Sequence, residues 1–396
     1  MSWNGTAAGY SQRDTSGLYL HIPFCLQRCA YCDFASYALN ALPEGMSFTS
    51  YTDALIKEAG LAAGKHGSLR FTTIYIGGGT PSLMPLDELQ RVVAAMREAF
   101  DVSRLMEFTL EANPDTLGRD KLRQWSELGV TRLSVGIQSL SDRSLRELGR
   151  SYSSGGALTA FYELADELSA FDLSFDLLLN VPWQKPLQVL DDIRTLYAFE
   201  PAHFSLYSLK VEPGTPLAMR VANEPGLAPD NDRFADEMNA AEELLEESGF
   251  ARYEISNFAR DGKWSLHNLT YWQGKDYLGL GVNATGCING VRTRNHREFA
   301  DYRAALMRNE LPVAERAELT ETERTLERLM LALRTTWGIS RDAFAAGIWE
   351  KLQARAEELA ARHPQLIVVA PGRIALTSGG MNVEHALVVE LAEGIL

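Results

Sequence analysis

The stretch from Leu20 to Tyr37, which reads LHIPFCLQRCAYCDFASY, carries three of the four cysteines in the 396-residue chain. Cys25, Cys29 and Cys32 follow the spacing Cys-x3-Cys-x2-Cys, directly after a short run of strand-forming residues. Thiolates that lie so close together on one loop can converge on a single metal centre. The stretch therefore predicts a metal-binding loop at the end of a strand.

The number of thiolates indicates which kind of metal centre to expect. A cube of four irons held by three thiolates keeps one iron open to an outside ligand, whereas structural zinc sites are normally closed by four protein ligands. S-adenosylmethionine (SAM) can chelate an open iron through its amine and carboxylate and be cleaved reductively. The spacing and the flanking residues Pro23, Tyr31 and Phe34 favour such a [4Fe–4S] cluster. A partial zinc site and a redox-active thiol loop stay open as alternatives.

Composition narrows the class of protein. The chain is 46% hydrophobic and 23% charged, as is ordinary for a globular protein, and is long enough for one large domain and a smaller one. Its net charge of −14 argues against a nucleic-acid partner. No apolar run approaches the roughly 18 residues of a membrane-spanning helix. Residues 1–17 do not have the pattern of a signal peptide, and the cysteines look unpaired, so we expect a cytoplasmic location.

Strand-like and helix-like segments alternate six times along the chain, which implies parallel strands with right-handed crossovers. We expect an α/β fold with a partial (β/α)6 barrel, and a flat doubly wound sheet is the alternative. A flexible leader over residues 1–16, a barrel with its C-terminal extension over 17–300 and a smaller domain over 301–396 are the expected divisions. The predicted strands are GLYLHIP from Gly17, TTIYIG ending at Gly77, MEFTLEA ending at Ala112, TRLSVGI ending at Ile137, DLSFDLLL ending at Leu179 and HFSLYSL ending at Leu209.

Polar or glycine-rich residues follow several of these strands, at the barrel end where chemistry is normally found. They are Gly77-Gly78-Gly79-Thr80-Pro81 after the second strand, Glu111, Gln138, Arg150 one helix further on, and Asp176 within the fifth strand. Each of them alone is as well explained by a structural role. Together they suit an amino-acid–nucleoside ligand, because an arginine pairs with a carboxylate while carboxylates accept from ribose hydroxyls or an ammonium.

YLHIPFC, the cysteine spacing, GGGTP, Glu111, GIQSL and LGR together resemble the radical SAM family, and within it the HemW haem chaperones and the related oxygen-independent coproporphyrinogen III oxidase. The resemblance runs from about Gly17 to the C-terminus. It implies that Cys25, Cys29 and Cys32 hold the cluster. It also implies a SAM-binding shell made of Tyr19, Tyr31, Gly78, Gly79, Thr80, Glu111, Gln138, Arg150 and Asp176.

Two features favour the chaperone branch. Phe34 stands where the oxidase pattern has a further cysteine, and residues 267–272, HNLTYW, match the HNxxYW signature of the chaperones. Imidazole is a common axial ligand of haem iron, so His267 is a candidate haem ligand, and Tyr271 and Trp272 offer ring faces to a flat macrocycle. A hydrogen-bonded structural histidine is the alternative for His267. Cys287 is either a fourth thiol near the porphyrin or a buried free cysteine.

Beyond Phe299 the pattern changes to helices around a small hairpin. Thr320 and Glu323 form a capping-box pattern, and Pro371-Gly372 separates two short strands, which together predict a mainly helical, winged-helix-like lobe that covers the barrel mouth. The favoured function is a chaperone that binds haem and passes it to an unidentified acceptor protein, with a cluster and SAM as cofactors. The alternatives are the oxidase itself, a related radical SAM tailoring enzyme or methyltransferase, and a zinc-stabilised module without redox chemistry.

Overall fold

The computed structural model describes residues 16–393. The predicted leader over residues 1–16 therefore lies outside the described residues, except for Ser16. The strands are β1 (Ser16–Ile22), β2 (Phe24–Cys25), β3 (Tyr37–Ala38), β4 (Phe71–Gly78), β5 (Glu107–Ala112), β6 (Arg132–Gln138), β7 (Asp172–Leu179), β8 (His203–Ser208), β9 (Ala251–Arg252), β10 (Asn257–Ala259), β11 (Tyr277–Leu280), β12 (Thr285–Ile288), β13 (Val291–Asn295), β14 (Val313–Glu318), β15 (Ile339–Ser340), β16 (Ile367–Ala370) and β17 (Arg373–Leu376).

Helices alternate with the strands over the first half of the chain and dominate its end. The α-helices are α1 (Phe48–His66), α2 (Leu86–Ala99), α3 (Arg119–Glu127), α4 (Asp142–Leu148), α5 (Ser154–Glu163), α6 (Ala165–Leu168), α7 (Gln188–Leu196), α8 (Pro216–Asn223), α9 (Asn231–Glu247), α10 (Leu266–Trp272), α11 (Phe299–Met307), α12 (Glu321–Leu333), α13 (Ala346–Arg362), α14 (Ser378–Met381) and α15 (Glu384–Ala392). Within residues 16–393, no helix is long and apolar enough to cross a membrane.

The six predicted strands are β1 and β4 to β8, and they pair in chain order as one parallel run. This confirms the α/β class and the strand–helix alternation. The sheet is longer than the sequence predicted. At the β1 edge it continues through β11, which is parallel to β1, into the antiparallel strands β12, β13 and β14, and at the β8 edge into β10 and β9.

Side chains alternate between the two faces of each parallel strand, so that one face packs against the helices and the other faces the barrel interior. Leu18, Leu20 and Ile22 of β1 are fully buried in the main core. The helices cover the outside, and the apolar stripe of α2, which includes Leu89 and Val92, is buried in the main core. The carboxyl ends of the parallel strands consequently meet at one end of the sheet, where the cysteine loop follows β1.

A second hydrophobic core lies in the C-terminal lobe, formed by α12, α13, α15 and a three-stranded antiparallel sheet in the order β15, β17, β16. Thr320 and Glu323 form the predicted capping box of α12, and the predicted hairpin is the β16–β17 pair. Helix α11 packs on the main core, and β14 belongs to the large sheet. The division into domains at residue 300 stays a prediction.

Candidate functional site

The three clustered cysteines lie on the loop that leaves β1. Cys25 is buried in β2, while Cys29 and Cys32 are half-buried. The loop is fastened to the end of β4 by two backbone hydrogen bonds: Gly79 N–H donates to Ile22 O at 2.8 Å, and Thr80 N–H donates to Phe24 O at 2.7 Å. The glycine-rich end of the second parallel strand therefore serves as the support of the cysteine loop.

Glycine is required at position 79 by this close approach. A Cβ atom there would lie 2.7 Å from Phe24 O, 2.9 Å from the carbonyl carbon of Pro23 and 3.0 Å from Ile22 O. All three are backbone atoms, which cannot swing away as the end of a side chain does. Gly78 has a φ of +116°, and a Cβ on it would meet the His21 ring at 2.5 Å.

The far side of the cysteine loop is held by the segment that follows α4. Ala30 N–H donates to Leu148 O at 2.9 Å, and Gln27 Nε2 donates to Gly149 O at 2.8 Å. Gly149 itself has a left-handed φ of +77° and ends α4. The loop is thus clamped between β4 and the Leu148-Gly149-Arg150 segment, both of which the sequence analysis selected.

The thiols fit a cluster better than a single ion. Within residues 16–393, no three histidine, cysteine or acidic side chains converge on a point that one metal ion would occupy. In a [4Fe–4S] cube each thiolate binds a different iron, so its ligands need no common point. Burial, with a smaller contribution from the neighbouring thiols, raises the pKa of Cys32 to about 11 and also raises that of Cys25. Metal cations reverse this effect, since a coordinated thiol is deprotonated.

Glu111, at the end of β5, is held in the barrel interior. Its carboxylate accepts from Tyr75 Oη at 2.7 Å and from Gly78 N–H at 2.9 Å. Burial raises the pKa of Glu111 to about 7, with repulsion from Asp176 adding to the effect. A cationic ligand beside this carboxylate would favour its ionised form and so lower the pKa of Glu111. The same attraction would strengthen the binding of the ligand.

Arg150 and Gln138 converge on a second part of the site. Arg150 Nη2 donates to Tyr31 Oη at 3.0 Å, and Nη1 donates to Asn113 Oδ1 at 3.2 Å. A Cβ on Gly136 would lie 2.9 Å from Gln138 Nε2 and 3.5 Å from Arg150 Nη2, so both side chains lie over this glycine. The Nε of Arg150 is buried and has no partner among the described residues, which leaves one donor for a ligand.

Asp176 and Tyr19 complete the predicted SAM shell. Asp176 accepts from Ser134 Oγ with both oxygens, at 3.1 and 2.9 Å, and burial raises its pKa to about 6. Tyr19 is hydrogen-bonded to His21 Nδ1 at 3.0 Å, and its ring stacks on that of Tyr75. The predicted residues therefore share the strand ends around the cysteine loop, while their contacts with SAM stay a prediction.

His267 lies in the barrel interior toward the amino ends of the strands, with its ring 5.1 Å from that of Tyr75 and 6.5 Å from that of Tyr19. Its Nδ1 is 2.8 Å from Thr73 Oγ1, near the start of β4, and a Cβ on Gly17 would meet its ring at 3.1 Å. Thr73 and Gly78 are five residues apart on one strand, which is about 16 Å. Glu107 fixes this position, because its carboxylate accepts from the backbone N–H groups of Leu266 and His267.

Both ring nitrogens of His267 are engaged, since Nε2 lies 2.7 Å from Tyr271 Oη. The residue is fully buried, and burial lowers its pKa to about 3, so the ring is neutral at neutral pH. Ligation of haem iron by His267 stays a prediction, and it requires that one of the two hydrogen bonds breaks.

A cavity of about 680 Å³ adjoins the site. Tyr19, Gly78 and Glu111 line it on the barrel side, and Tyr271 and Trp272 of the HNLTYW motif also line it, whereas His267 does not. Phe34, Lys275, Tyr277, Cys287, Arg292, Arg324 and Arg328 are further lining residues. Cys287 is half-buried rather than buried, and it is one of the residues that line the cavity.

Several residues of the site were missed in the sequence analysis. Tyr75 donates to Glu111, and Asn113 accepts from Arg150. Both lie close in sequence to a selected motif. Tyr75 is two residues before Gly77, on the same face of β4, and Asn113 directly follows β5. Nearness to a selected strand end was therefore a usable signal for both. Arg292 and Arg324 carried no such signal, because they come from a late hairpin and from the C-terminal lobe.

A parallel α/β barrel with a three-cysteine loop at its strand ends is the architecture of radical SAM proteins, and the Radical SAM superfamily model matches residues 19–184. The chain is 35% identical to the heme chaperone HemW of Bacillus subtilis (strain 168) over 328 residues, which are 83% of this chain and 85% of that protein. It is 34% identical over 360 residues to heme chaperone HemW of Mycobacterium tuberculosis (strain ATCC 25618 / H37Rv), covering 90% and 92%. The chain belongs to the HemW family.

Among solved structures, the fold is similar to that of coproporphyrinogen III oxidase (HemN) from Escherichia coli, which is described as a radical SAM enzyme. The TM-score is 0.79, and the match covers 98% of this chain and 92% of that chain at 20% sequence identity. At this identity the similarity supports the fold, including the C-terminal lobe, and nothing about the reaction.

Proposed function

We propose that this protein is a haem chaperone, which binds haem in the cavity beside a SAM-binding [4Fe–4S] site and passes it to an acceptor protein. The observation that carries the proposal is the HNLTYW motif of a HemW-family chain, with Tyr271 and Trp272 in the wall of a cavity of about 680 Å³. Aromatic side chains of this kind pack against flat conjugated rings.

The cluster would be held by Cys25, Cys29 and Cys32, whose donor set and clamped loop fit it. When bound, the cluster supplies one-electron reduction to SAM. Thr80 Oγ1 lies 3.8 Å from Cys25 Sγ and would stabilise that thiolate by a hydrogen bond. Cys25 is itself buried, so water has little access to that thiolate.

The SAM site would be formed by the strand-end residues described above. Arg150, through its unpartnered Nε, would pair with the SAM carboxylate, while Glu111 and Asp176 would accept from its ammonium or ribose hydroxyls. Gln138 would donate and accept at the same ligand. Tyr19, Gly78 and Glu111 line both this site and the cavity, so SAM and haem would be neighbours.

Phe34 supports the chaperone over the coproporphyrinogen oxidase. It lines the cavity and is 61% exposed, at the position where the oxidase pattern has a cysteine. An apolar ring there offers no thiol to the chemistry and leaves an apolar contact for a macrocycle. The acceptor protein and a cytoplasmic location stay predictions, which co-purification and cell fractionation would test.

The decisive experiment is a haem titration of anaerobically purified protein with an intact cluster. We expect a saturable Soret band with one haem per chain, and transfer of that haem to an added apo-haemoprotein. Cys25→Ser should lose the iron–sulfur absorbance, while Cys287→Ser, the matched change at the remaining thiol, should keep it. A protein that keeps its cluster and takes up no haem would contradict the proposal, and SAM-dependent formation of protoporphyrinogen IX would identify an oxidase instead.

A further inference from the structure

We infer that Arg324 and Arg328 of α12 form a carboxylate-binding site in the cavity, which holds the propionate groups of haem. This inference rests on the proposed function and specifies how the ligand is oriented. Haem carries its two propionates on one edge, so a pair of cations on one wall of the cavity fixes which edge faces that wall.

The two arginines lie on one face of α12. Residues 324, 328 and 331 are spaced by one turn or nearly so, and Arg324, Arg328 and Leu331 all line the cavity. The helix belongs to the C-terminal lobe, whose core includes Leu329 and Leu333 from the opposite face. Helix α12 thus presents a cationic face to the cavity, while its apolar face is buried in the core of the lobe.

Arg324 is held in place without being neutralised. Its Nε donates to Leu319 O at 3.0 Å, and its guanidinium lies against Gly290, where a Cβ would come within 2.9 Å of Nε and of Cζ. Gly290 has a φ of +75°, so the turn between β12 and β13 both needs a glycine and makes room for the arginine. Arg324 pairs with no carboxylate among residues 16–393.

Arg328 is likewise uncompensated: Nη1 donates to the Ala343 carbonyl, and no carboxylate within the described part of the chain pairs with it. The contrast with its neighbours is informative. Arg292 pairs with Glu327, and Asp276 accepts from Asn289 N–H at 2.8 Å, while Lys275 is a further cation that lines the cavity.

A local excess of positive charge is unusual in this protein, whose net charge is −14. Two unpaired guanidiniums beside a cavity with aromatic walls match a flat ligand with two carboxylates. Guanidinium binds carboxylate through two parallel hydrogen bonds. Arg324 is half-buried, which strengthens such a pair, whereas Arg328 is exposed. A carboxylate-free apolar ligand would leave these two cations without a partner.

The test compares haem with haem dimethyl ester, in which both propionates are masked, using cluster-loaded protein in the same low concentration of detergent. The Arg324→Gln/Arg328→Gln double variant should bind haem at least tenfold more weakly than the wild type, since the charge-assisted bond of half-buried Arg324 alone contributes roughly tenfold. Both proteins should bind the ester with the same affinity. Arg104→Gln, which removes an exposed arginine in the loop before β5, should behave as the wild type.

Each outcome decides between the hypotheses. If the wild type binds haem and the double variant binds it equally well, the arginines are not the propionate site. If the double variant loses affinity for haem and ester alike, the arginines shape the lobe and bind no propionate, and the inference is again wrong. If the wild type retains its cluster but binds no haem, the proposed function itself fails, and this inference with it.

Discussion

The imidazole Nε2 of His267 and the hydroxyl of Tyr271 lie 2.7 Å apart, so two residues of the same HNLTYW motif bind each other. The other ring nitrogen of His267, Nδ1, is hydrogen-bonded to the hydroxyl of Thr73. The Glu107 carboxylate accepts from the backbone N–H of His267, at the start of α10. The motif therefore forms a hydrogen-bonded cluster toward the amino ends of the strands, in which Tyr271 and Trp272 line the cavity. The histidine is the part that is buried.

The first prediction concerns this hydrogen bond. If His267 ligates haem iron through Nε2, as predicted from the sequence, Tyr271 must first release that nitrogen. Tyr271→Phe removes the competing bond and keeps the ring, so it should strengthen haem binding by about fivefold, the equivalent of one ordinary hydrogen bond. Haem affinity from Soret titration is the measurement. An unchanged or weaker affinity would show that His267 only positions Tyr271.

His267→Ala provides the complementary measurement. It removes a fully buried ring and leaves the Thr73 hydroxyl without its partner, so the free energy of unfolding should fall by about 2–4 kcal/mol. Urea denaturation would measure this loss. A variant as stable as the wild type would mean that the two hydrogen bonds contribute nothing to the fold, and loss of haem binding could then be assigned to the iron directly.

The second prediction concerns Gly79. Gly79→Ala places a methyl group 2.7–3.0 Å from backbone atoms of the cysteine loop, so β4 and the loop must separate. We expect a loss of about 2 kcal/mol or more in unfolding free energy and a lower iron content after reconstitution. Gly60→Ala is the matched control, because nothing lies within 4 Å of that position in α1 and alanine favours the helix. Normal iron content in Gly79→Ala would contradict the proposed support of the loop.

The sequence predicted local features well because each depended on neighbours in the chain. Strands β1 and β4 to β8, the capping box at Thr320 and the hairpin around Pro371-Gly372 were all confirmed. Contacts between distant segments were not predictable. The extension of the sheet through β11 to β14 joins residues 277–318 to β1, and no periodicity in either segment specifies that pairing. For the same reason the sequence did not indicate Arg324, which lines the cavity only because the C-terminal lobe packs beside it.

Glu58 of α1 shows how a buried carboxylate joins distant segments. It accepts from Gly281 N–H at 2.7 Å, from Tyr302 Oη at 2.6 Å and from Asn295 Nδ2 at 2.5 Å. Burial raises the pKa of Glu58 to about 7, although the three donors oppose the shift. Between pH 4.5 and 7 the unfolded chain releases this proton while the folded chain keeps it. The contribution of Glu58 to the free energy of unfolding is therefore fully present below pH 4.5 and is lost as the pH rises through 7.

The third prediction follows from this loss of folding stability with rising pH. Relative to the wild type, Glu58→Gln should gain about 3 kcal/mol of unfolding free energy between pH 5 and pH 8, because glutamine does not ionise. The difference between the two proteins isolates Glu58 from other buried groups, such as His21, whose pKa burial lowers to about 4 with the opposite effect on stability. Glu98→Gln, on the exposed face of α2, controls for the replacement of a carboxylate by an amide. A difference between Glu58→Gln and the wild type that does not change with pH would refute the raised pKa.

The fourth prediction concerns Arg150, whose guanidinium joins Tyr31 of the cysteine loop to Asn113 at the end of β5. Arg150→Lys keeps the positive charge but cannot donate to both partners and to a carboxylate at once. If Arg150 binds the SAM carboxylate, the variant should keep its iron–sulfur absorbance and bind SAM at least tenfold more weakly, as measured by equilibrium dialysis. Tyr31→Phe removes only the bond between Arg150 and the loop, so its SAM affinity should fall less. Loss of the cluster in Arg150→Lys would point instead to a role in fastening the loop, since the clamp formed with Leu148 and Gly149 would then depend on the guanidinium.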